Sequence, residues 1–215
     1  MKVLKFGGTS VGSVDSIRQI QHIIGQQTDD CIVVVSALGG ITDQLLKAAH
    51  LALEAGEEYM EVYQAIRCRH MDMVNTLITN PTTRQMLCLE LEGILDELRS
   101  ILFGVHLVKD LSNKTEAAIV SYGERMSSRI VTAALPGAVR KNSLQFIRTE
   151  HKQGQVLLNT ELTEQLIRQA FSPIPHLSVV PGFISRDSQT DEITNLGRGG
   201  SDYTASILAA TLGAE

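Results

Sequence analysis

The sequence predicts an α/β protein built on a mostly parallel sheet. Twice within the first 55 residues, a short apolar run is followed by a pair of glycines and then by a helical pattern. A third glycine-rich turn, close to the C-terminal end, precedes another apolar helix. Strand–turn–helix units place their turns at the carboxyl edge of a parallel sheet, so we expect the three glycine turns to lie on one side of it.

Composition indicates a soluble intracellular protein with a sizeable core. Of the 215 residues 43% are hydrophobic, and the formal net charge of −5 argues against a nucleic-acid surface. The three cysteines are widely spaced and odd in number, which favours reduced thiols, and no metal-ligand spacing is recognised. No apolar run reaches membrane length, and no signal peptide is recognised. We therefore expect a cytoplasmic protein without nucleic-acid, membrane or metal sites.

The first strand–turn–helix unit contains the stretch Lys5-Phe6-Gly7-Gly8-Thr9-Ser10, and isoleucines at helical spacing follow it. Two glycines, two hydroxyls and a helix N-terminus can bring backbone N–H groups close to a phosphate, and Lys5 adds a mobile cation. The alternative is an ordinary tight turn with a surface lysine. The stretch is neither a Walker loop nor a dinucleotide-binding turn.

The second unit begins with a β-branched run over residues 31–35, which predicts a parallel strand buried on both faces. The segment from Ser36 to Asp43 then contains the pair Gly39-Gly40. We expect a helix from about Gln44 to Ala55.

From residue 57 to about residue 110 the pattern changes to long helices. Apolar residues repeat at steps of three and four on both sides of Asn80-Pro81, which predicts a helical hairpin inserted into the α/β pattern. We expect its apolar seams to pack against each other and against the sheet; a subunit contact is the alternative. The basic cluster Arg67, Arg69 and His70 is interpreted as solvated charge on one helix.

A further helix contains Ser121-Tyr122-Gly123-Glu124. An interior glycine costs about 1 kcal/mol relative to alanine, so we expect an interruption here and a close approach of another group. From the sequence alone, Glu124 is better explained as a surface carboxylate than as a fixed acceptor for a cationic ligand group. A short strand over residues 143–149 and a helix over residues 161–171 are expected next.

The last third contains the third glycine turn. A strand is predicted over residues 177–184 and a polar hairpin tip over residues 186–192, after which Leu196-Gly197-Arg198-Gly199-Gly200-Ser201-Asp202 opens a helix from Tyr203 to Leu212. Glycines at a helix N-terminus form an anion site, and Arg198 can hold a carboxylate through two parallel hydrogen bonds. Ser201 or Asp202 could instead cap the helix.

Four segments together resemble the aspartate kinase (aspartokinase) family, in the family's order: Lys5-Phe6-Gly7-Gly8-Thr9-Ser10, Ser36-Ala37-x-x-Gly40-Ile41-Thr42, Ser121-x-Gly123-Glu124 and Leu196-Gly197-Arg198-Gly199-Gly200-Ser201-Asp202-Tyr203. The helical insert also resembles the aspartokinase part of bifunctional aspartokinase–homoserine dehydrogenases. The resemblance implies the three-layer αβα amino-acid-kinase fold, of the carbamate-kinase type. It also implies phosphoryl transfer from MgATP to the β-carboxylate of L-aspartate, giving 4-phospho-L-aspartate for threonine, methionine and lysine biosynthesis.

The resemblance further implies a role for each matching residue. Lys5 would neutralise the transferring phosphoryl group, and Asp202 would orient that lysine. The phosphate path would be lined by Gly7, Gly8, Thr9, Ser10, Gly39 and Gly40. Aspartate would be held by Ser36, Thr42, Glu124, Arg198, Gly199, Gly200 and Ser201. In this arrangement Glu124 would face the ammonium and Arg198 the α-carboxylate, with ATP and its bound Mg²⁺ as the cofactors.

The same resemblance implies that the chain is truncated. Aspartokinases continue with a nucleotide-binding segment and regulatory domains, so residues 1–215 are expected to form the N-terminal portion of an amino-acid-kinase domain. We expect this portion to be inactive alone and the intact enzyme to be a homo-oligomer. The alternatives are another amino-acid kinase, of the glutamate or uridylate kinase type, and a non-catalytic module that binds aspartate or phosphate.

Overall fold

A computed structural model describes residues 1–54, 56–152 and 154–215. Strands and helices alternate along much of the chain, and a 3-10 turn over Ser143–Gln145 precedes β4. The elements in chain order are β1 (Lys2–Phe6), α1 (Gly8–Val11), α2 (Val14–Gly25), β2 (Cys31–Val35), α3 (Ile41–Leu51), α4 (Glu58–Leu77), α5 (Pro81–Val108), α6 (Asn113–Ala134), β3 (Val139–Arg140), β4 (Arg148–Lys152), β5 (Gln155–Leu158), α7 (Thr160–Ala170), β6 (Leu177–Pro181), β7 (Ile184–Asp187), β8 (Ile193–Asn195) and α8 (Gly200–Leu212).

The strands form two four-stranded sheets. The first has the order β1-β2-β6-β3 and is parallel throughout. The second has the order β5-β4-β7-β8, in which only β4 and β7 pair in parallel. The first sheet is the predicted parallel sheet. In the second sheet, the hairpin tip predicted over residues 186–192 joins β7 to β8, whereas the pairings of β4 with β5 and with β7 were not predicted.

Helices cover both faces of the parallel sheet, and β2 shows why. All five residues of this strand are buried. Val33 and Val35 belong to the core shared with α2, α3 and α6, whereas Ile32 and Val34 belong to the core shared with α7 and α8. Successive side chains of a strand point to opposite faces, so an apolar run of this kind requires a helix layer on each side. The three-layer αβα arrangement is thereby confirmed.

The predicted helical hairpin is formed by α4 and α5. Asn80 caps α5, since its side chain accepts a hydrogen bond from the Thr83 N–H, and Pro81 occupies the first helical position. The apolar stripes of both helices lie in the same core as the sheet. The interpretation of His70 as solvated is wrong: it is fully buried, and burial lowers its pKa to about 4.

Three other predictions need correction. Helix α6 runs through Gly123 without interruption. The strand expected over residues 143–149 is a 3-10 turn followed by β4 from Arg148. The strand expected over residues 177–184 is divided in two, because Phe183 adopts a left-handed conformation with φ of 65° and turns the chain.

Helix α3 begins at Ile41, three residues earlier than expected, because Gly40 has φ of 80° and directly precedes the first turn. The helix ends at Leu51, and Ala55, where the sequence analysis placed its end, lies outside the described residues. The three cysteines are free thiols. Within the described ranges, no helix has the length and apolar character that crossing a membrane requires.

Candidate functional site

The three glycine turns meet around one cavity of about 430 Å³ at the carboxyl ends of β1, β2 and β6. This confirms the prediction that they lie on one side of the parallel sheet. The lining residues come from all three turns, from α6 and from the segment after β6: Lys5, Gly8, Ser36, Ala37, Leu38, Gly39, Gly40, Thr42, Asp43, Glu124, Phe183, Gly197, Arg198, Gly199, Gly200, Ser201 and Asp202.

The first two turns pack backbone against backbone. The Gly39 N–H donates a hydrogen bond to the Gly8 carbonyl at 2.9 Å. A Cβ atom at Gly8 would lie 3.2 Å from the Ala37 carbonyl oxygen, and one at Gly39 would lie 3.1 Å from the Gly8 oxygen. Any side chain at either position would push the turns apart, so the glycines permit this close approach.

Lys5 extends from the end of β1 towards the third turn. Its Nζ lies 2.9 Å from Oδ1 of Asp202, in the first turn of α8. A Cβ atom at Gly7 would lie 3.4 Å from the same Nζ, so the lysine side chain passes over this glycine. Because the Asp202 side chain is 68% exposed, the pair adds little to stability. Its main consequence is to fix the position of the Lys5 cation.

The third turn depends on glycine conformation and on close packing. Gly197 and Gly199 have φ of 73° and 75°, in the left-handed region that favours glycine. A Cβ atom at Gly200 would lie 2.9 Å from Cδ2 of Phe183. The start of α8 is thereby held against the segment that follows β6.

Hydrogen bonds join the second turn to the third turn and to α6. The Ser36 hydroxyl donates to Oγ of Ser201 at 3.0 Å. The Ser127 hydroxyl of α6 donates to the Ser36 carbonyl at 2.7 Å. Ser36 is therefore held from two sides at the edge of the cavity.

Glu124 is the only acidic side chain among the cavity-lining residues that is buried, with 4% exposure. Its Oε1 accepts a hydrogen bond from the Ala37 N–H at 3.0 Å, and its Oε2 has no partner among the described residues. Burial raises its pKa to about 7. The expectation of a surface carboxylate is wrong because α6 packs tightly on the second turn. A Cβ atom at Gly123 would lie only 2.7 Å from Cβ of Ala37.

The remaining candidates differ in position. Arg198 is exposed at the cavity, and no described carboxylate forms an ion pair with it. Thr42 is partly buried and lines the cavity. Thr9 and Ser10 are exposed on α1, a short helix that the sequence analysis did not predict, and neither they nor Gly7 are among the lining residues.

Sequence reasoning missed several lining residues, notably Ala37, Asp43 and Phe183. Ala37 acts through its backbone N–H, which no residue type signals. Asp43 belongs to the second motif but had a simpler explanation as an acidic residue in the first turn of a helix. Phe183 follows strand β6 just as the glycine pairs follow β1 and β2. This position after a parallel strand was the sequence signal that could have identified Phe183 as a lining residue.

The charges of the cavity suit a small zwitterion with a further anionic group. Two cations, Lys5 and Arg198, line the cavity together with the exposed carboxylates of Asp43 and Asp202, and Asp202 is paired with Lys5. The N-terminus of α8 offers backbone N–H groups to an anion. The unpaired Oε2 of Glu124 offers a buried acceptor to a cation. The site can therefore orient an amino acid by its charged groups and stabilise further negative charge near Lys5.

Comparison with known proteins places these features in a family. The family model described as the amino acid kinase family matches residues 1–215. Aspartokinase 1, chloroplastic, from Arabidopsis thaliana is 30% identical, over 98% of this chain and 38% of that protein. Lysine-sensitive aspartokinase 3 from Escherichia coli is 30% identical, over 98% of this chain and 46% of that protein. A bifunctional aspartokinase/homoserine dehydrogenase from Buchnera aphidicola is 28% identical, over 100% of this chain and 27% of that protein.

Solved structures agree with the fold. E. coli aspartokinase III in complex with lysine and aspartate, in the T-state, superposes with a TM-score of 0.88 at 28% identity, over 100% of this chain and 47% of that chain. The R-state complex of the same enzyme with aspartate and ADP gives a TM-score of 0.85, with the same identity and coverage. The chain thus spans less than half the length of these relatives.

Proposed function

The chain belongs to the amino acid kinase family, and from this premise we propose that its cavity binds L-aspartate as the acceptor of a phosphoryl group from MgATP. The product would be 4-phospho-L-aspartate. The observation that carries the proposal is the unpaired, buried carboxylate oxygen of Glu124 inside a cavity that also holds Lys5 and Arg198. Relatives named aspartokinase, and a structural neighbour solved with aspartate and ADP, support the same assignment.

Aspartate is held by its charges. The ammonium group binds Oε2 of Glu124, which burial makes a strong acceptor once it is ionised. The α-carboxylate binds the Arg198 guanidinium and the N–H groups at the start of α8. The hydroxyls of Thr42 and Ser201 line the same cavity and can donate to the remaining carboxylate oxygens, and Ser36 supports Ser201 by donating to its Oγ.

Phosphoryl transfer then requires positioning and charge stabilisation. The β-carboxylate of aspartate is already a nucleophile, so no general base is needed. One of its oxygens forms a bond to the γ-phosphorus as the bond to the β,γ-bridging oxygen breaks, and ADP leaves with that electron pair. Lys5, held by Asp202, offsets the negative charge on the transferring group. Mg²⁺ carried by the nucleotide supplies further charge neutralisation.

The proposal can be tested by calorimetric titration of the chain with L-aspartate, L-glutamate and UMP. We expect saturable binding of aspartate with one site per chain and weaker binding of glutamate, whose side chain is one methylene longer. We expect no binding of UMP, because Glu124 would face no cation. Preference for UMP or glutamate would instead support a uridylate or glutamate kinase. Binding of aspartate without turnover in any preparation would support the non-catalytic alternative.

The pKa of Glu124 predicts a pH dependence of aspartate affinity. Its carboxyl group is neutral in about half of the molecules at pH 7, and binding the ammonium requires the ionised form. Aspartate should therefore bind with release of a proton below pH 7, and its Kd should rise by about tenfold from pH 8 to pH 6. The dependence should be absent in Glu124→Gln, which also binds more weakly. A wild-type Kd that is constant between pH 6 and 8 would remove Glu124 from the ammonium site.

A further inference from the structure

A second cavity, of about 540 Å³, lies outside the candidate active site and shares no lining residue with it. It is formed by the first turns of α5, the C-terminal half of α6 and the edge strand β3 of the parallel sheet. Its lining residues are Thr83, Met86, Leu87, Glu90, Arg129, Thr132, Ala133 and Arg140.

Arg140 is the unexplained group in this cavity. Its side chain is half-buried on β3, and it forms no ion pair with a carboxylate in the part of the chain that the structure describes. Burial lowers its pKa and the positive charge of Arg129 lowers it further, while the negative charge of Glu90 acts in the opposite direction. A guanidinium stays charged at any physiological pH, so partial burial without a carboxylate paired directly to it is unfavourable. An anion bound beside it would remove that cost.

The charges around Arg140 leave room for one more negative charge. Glu90 is the one carboxylate that lines the cavity, and its Oε1 already accepts a hydrogen bond from Nε of Arg129 at 2.5 Å. Arg125, the other arginine close enough to lower the pKa of Arg140, pairs with Glu97 at 2.7 Å. Two guanidiniums and one carboxylate therefore give the cavity a net charge of about +1.

Apart from the two threonines Thr83 and Thr132, the rest of the cavity wall is apolar. Leu87 and Ala133 form part of its surface, and Met86 is 68% exposed beside them. Exposed apolar surface of this kind gains free energy when a ligand covers it. Methionine, which is flexible and polarizable, adapts to ligands of varied shape.

We propose that this cavity binds a small monocarboxylate with a short apolar chain, its carboxylate on Arg140 and its chain against Met86 and Leu87. A monoanion matches the net charge of the cavity, whereas inorganic phosphate carries more charge and has no apolar part. The proposal is independent of aspartate binding, because neither Arg140 nor Met86 lines the other cavity.

The test is a calorimetric titration of the chain with hexanoate, with inorganic phosphate and hexylamine as comparison ligands. Hexanoate should bind saturably, and the other two should bind at least about tenfold more weakly. Arg140→Gln should raise the Kd for hexanoate by about tenfold or more, because a hydrogen bond to a charged group is lost. Arg18→Gln makes the same charge change at an exposed residue outside the cavity, paired with Asp15, and should change that Kd less than twofold.

A second variant tests the proposal even if Arg140→Gln fails to fold. Met86→Ser alters an exposed side chain, and should weaken hexanoate binding while leaving the much weaker binding of acetate unchanged. Both variants should unfold at nearly the wild-type temperature, which shows that they are folded, and any aspartate binding should be unaltered in them. The proposal is overturned if hexanoate does not saturate, if Arg140→Gln binds it like the wild type, or if phosphate or hexylamine binds as well.

Discussion

Replacing Arg198 with alanine is expected to weaken aspartate binding by about 2 kcal/mol or more, a rise in Kd of roughly 30-fold. The guanidinium lines the cavity and has no carboxylate partner among the described residues, so it is free to bind the α-carboxylate. Loss of a desolvated, bidentate pair costs up to about 5 kcal/mol. Arg198 is exposed before the ligand arrives, so we expect a value near the lower limit. Calorimetric titration with L-aspartate measures it.

Two further variants make this result specific. Arg198→Lys keeps the charge but loses the planar fork, so its Kd should lie between those of the wild type and Arg198→Ala. Arg168→Ala removes an exposed arginine from the last turn of α7, outside the cavity, and should bind aspartate normally. If Arg198→Ala binds aspartate like the wild type, the acceptor site lies elsewhere.

The sequence was sufficient for β1, β2 and β6 of the parallel sheet and for the helical hairpin, because their signals are local. A five-residue apolar run in which four residues are β-branched predicts β2 with the bounds that the structure shows. Apolar steps of three and four, interrupted by Asn80-Pro81, predict the separation of α4 and α5. Each of these patterns lies within a few consecutive turns or one strand, so no distant contact is needed to interpret it.

Apart from its β7–β8 hairpin, the second sheet could not be predicted in the same way. Its strand β4 reads Arg-Thr-Glu-His-Lys, without an apolar alternation, and β5 is exposed along most of its length. Strand β8 has three residues and β3 of the first sheet has two. Such strands are defined by the partners they pair with. The pairings of β4 with β7 and of β3 with β6 join segments distant in sequence.

The residues of the candidate site divide in the same way, into those with a local sequence signal and those that depend on tertiary contacts. Its glycine turns, Lys5 and Arg198 were found because glycines between a strand and a helix are a local pattern. The burial of Glu124 was not found, because it depends on Gly123 meeting Ala37, which lies 86 residues earlier in the chain. Tertiary packing thus makes the Glu124 carboxylate the acceptor of the Ala37 N–H. The same packing buries this carboxylate and so raises its pKa.

Replacing Lys5 with methionine is expected to lower kcat by about 100-fold or more in any preparation that shows aspartate-dependent ADP release. Methionine keeps most of the side-chain volume and removes the charge that lies 2.9 Å from Asp202 at the end of β1. Negative charge spreads over the transferring group in the transition state, and a missing cation there raises the barrier. The KM for aspartate should change much less, because Glu124 and Arg198, and not Lys5, are proposed to hold the acceptor. A coupled assay of ADP release separates the two constants.

Lys2→Met is the matched control for this substitution. Lys2 lies on the same strand but at its other end, where its Nζ donates to the Gln27 side chain at 3.1 Å, and it does not line the cavity. Its kcat should therefore stay within about twofold of the wild type. The Lys5–Asp202 pair is largely solvent-exposed on the aspartate side, so Lys5→Met should unfold at nearly the wild-type temperature. An unchanged kcat in a folded Lys5→Met protein would exclude Lys5 from the phosphoryl path, whereas a raised KM with normal kcat would place it in the acceptor site.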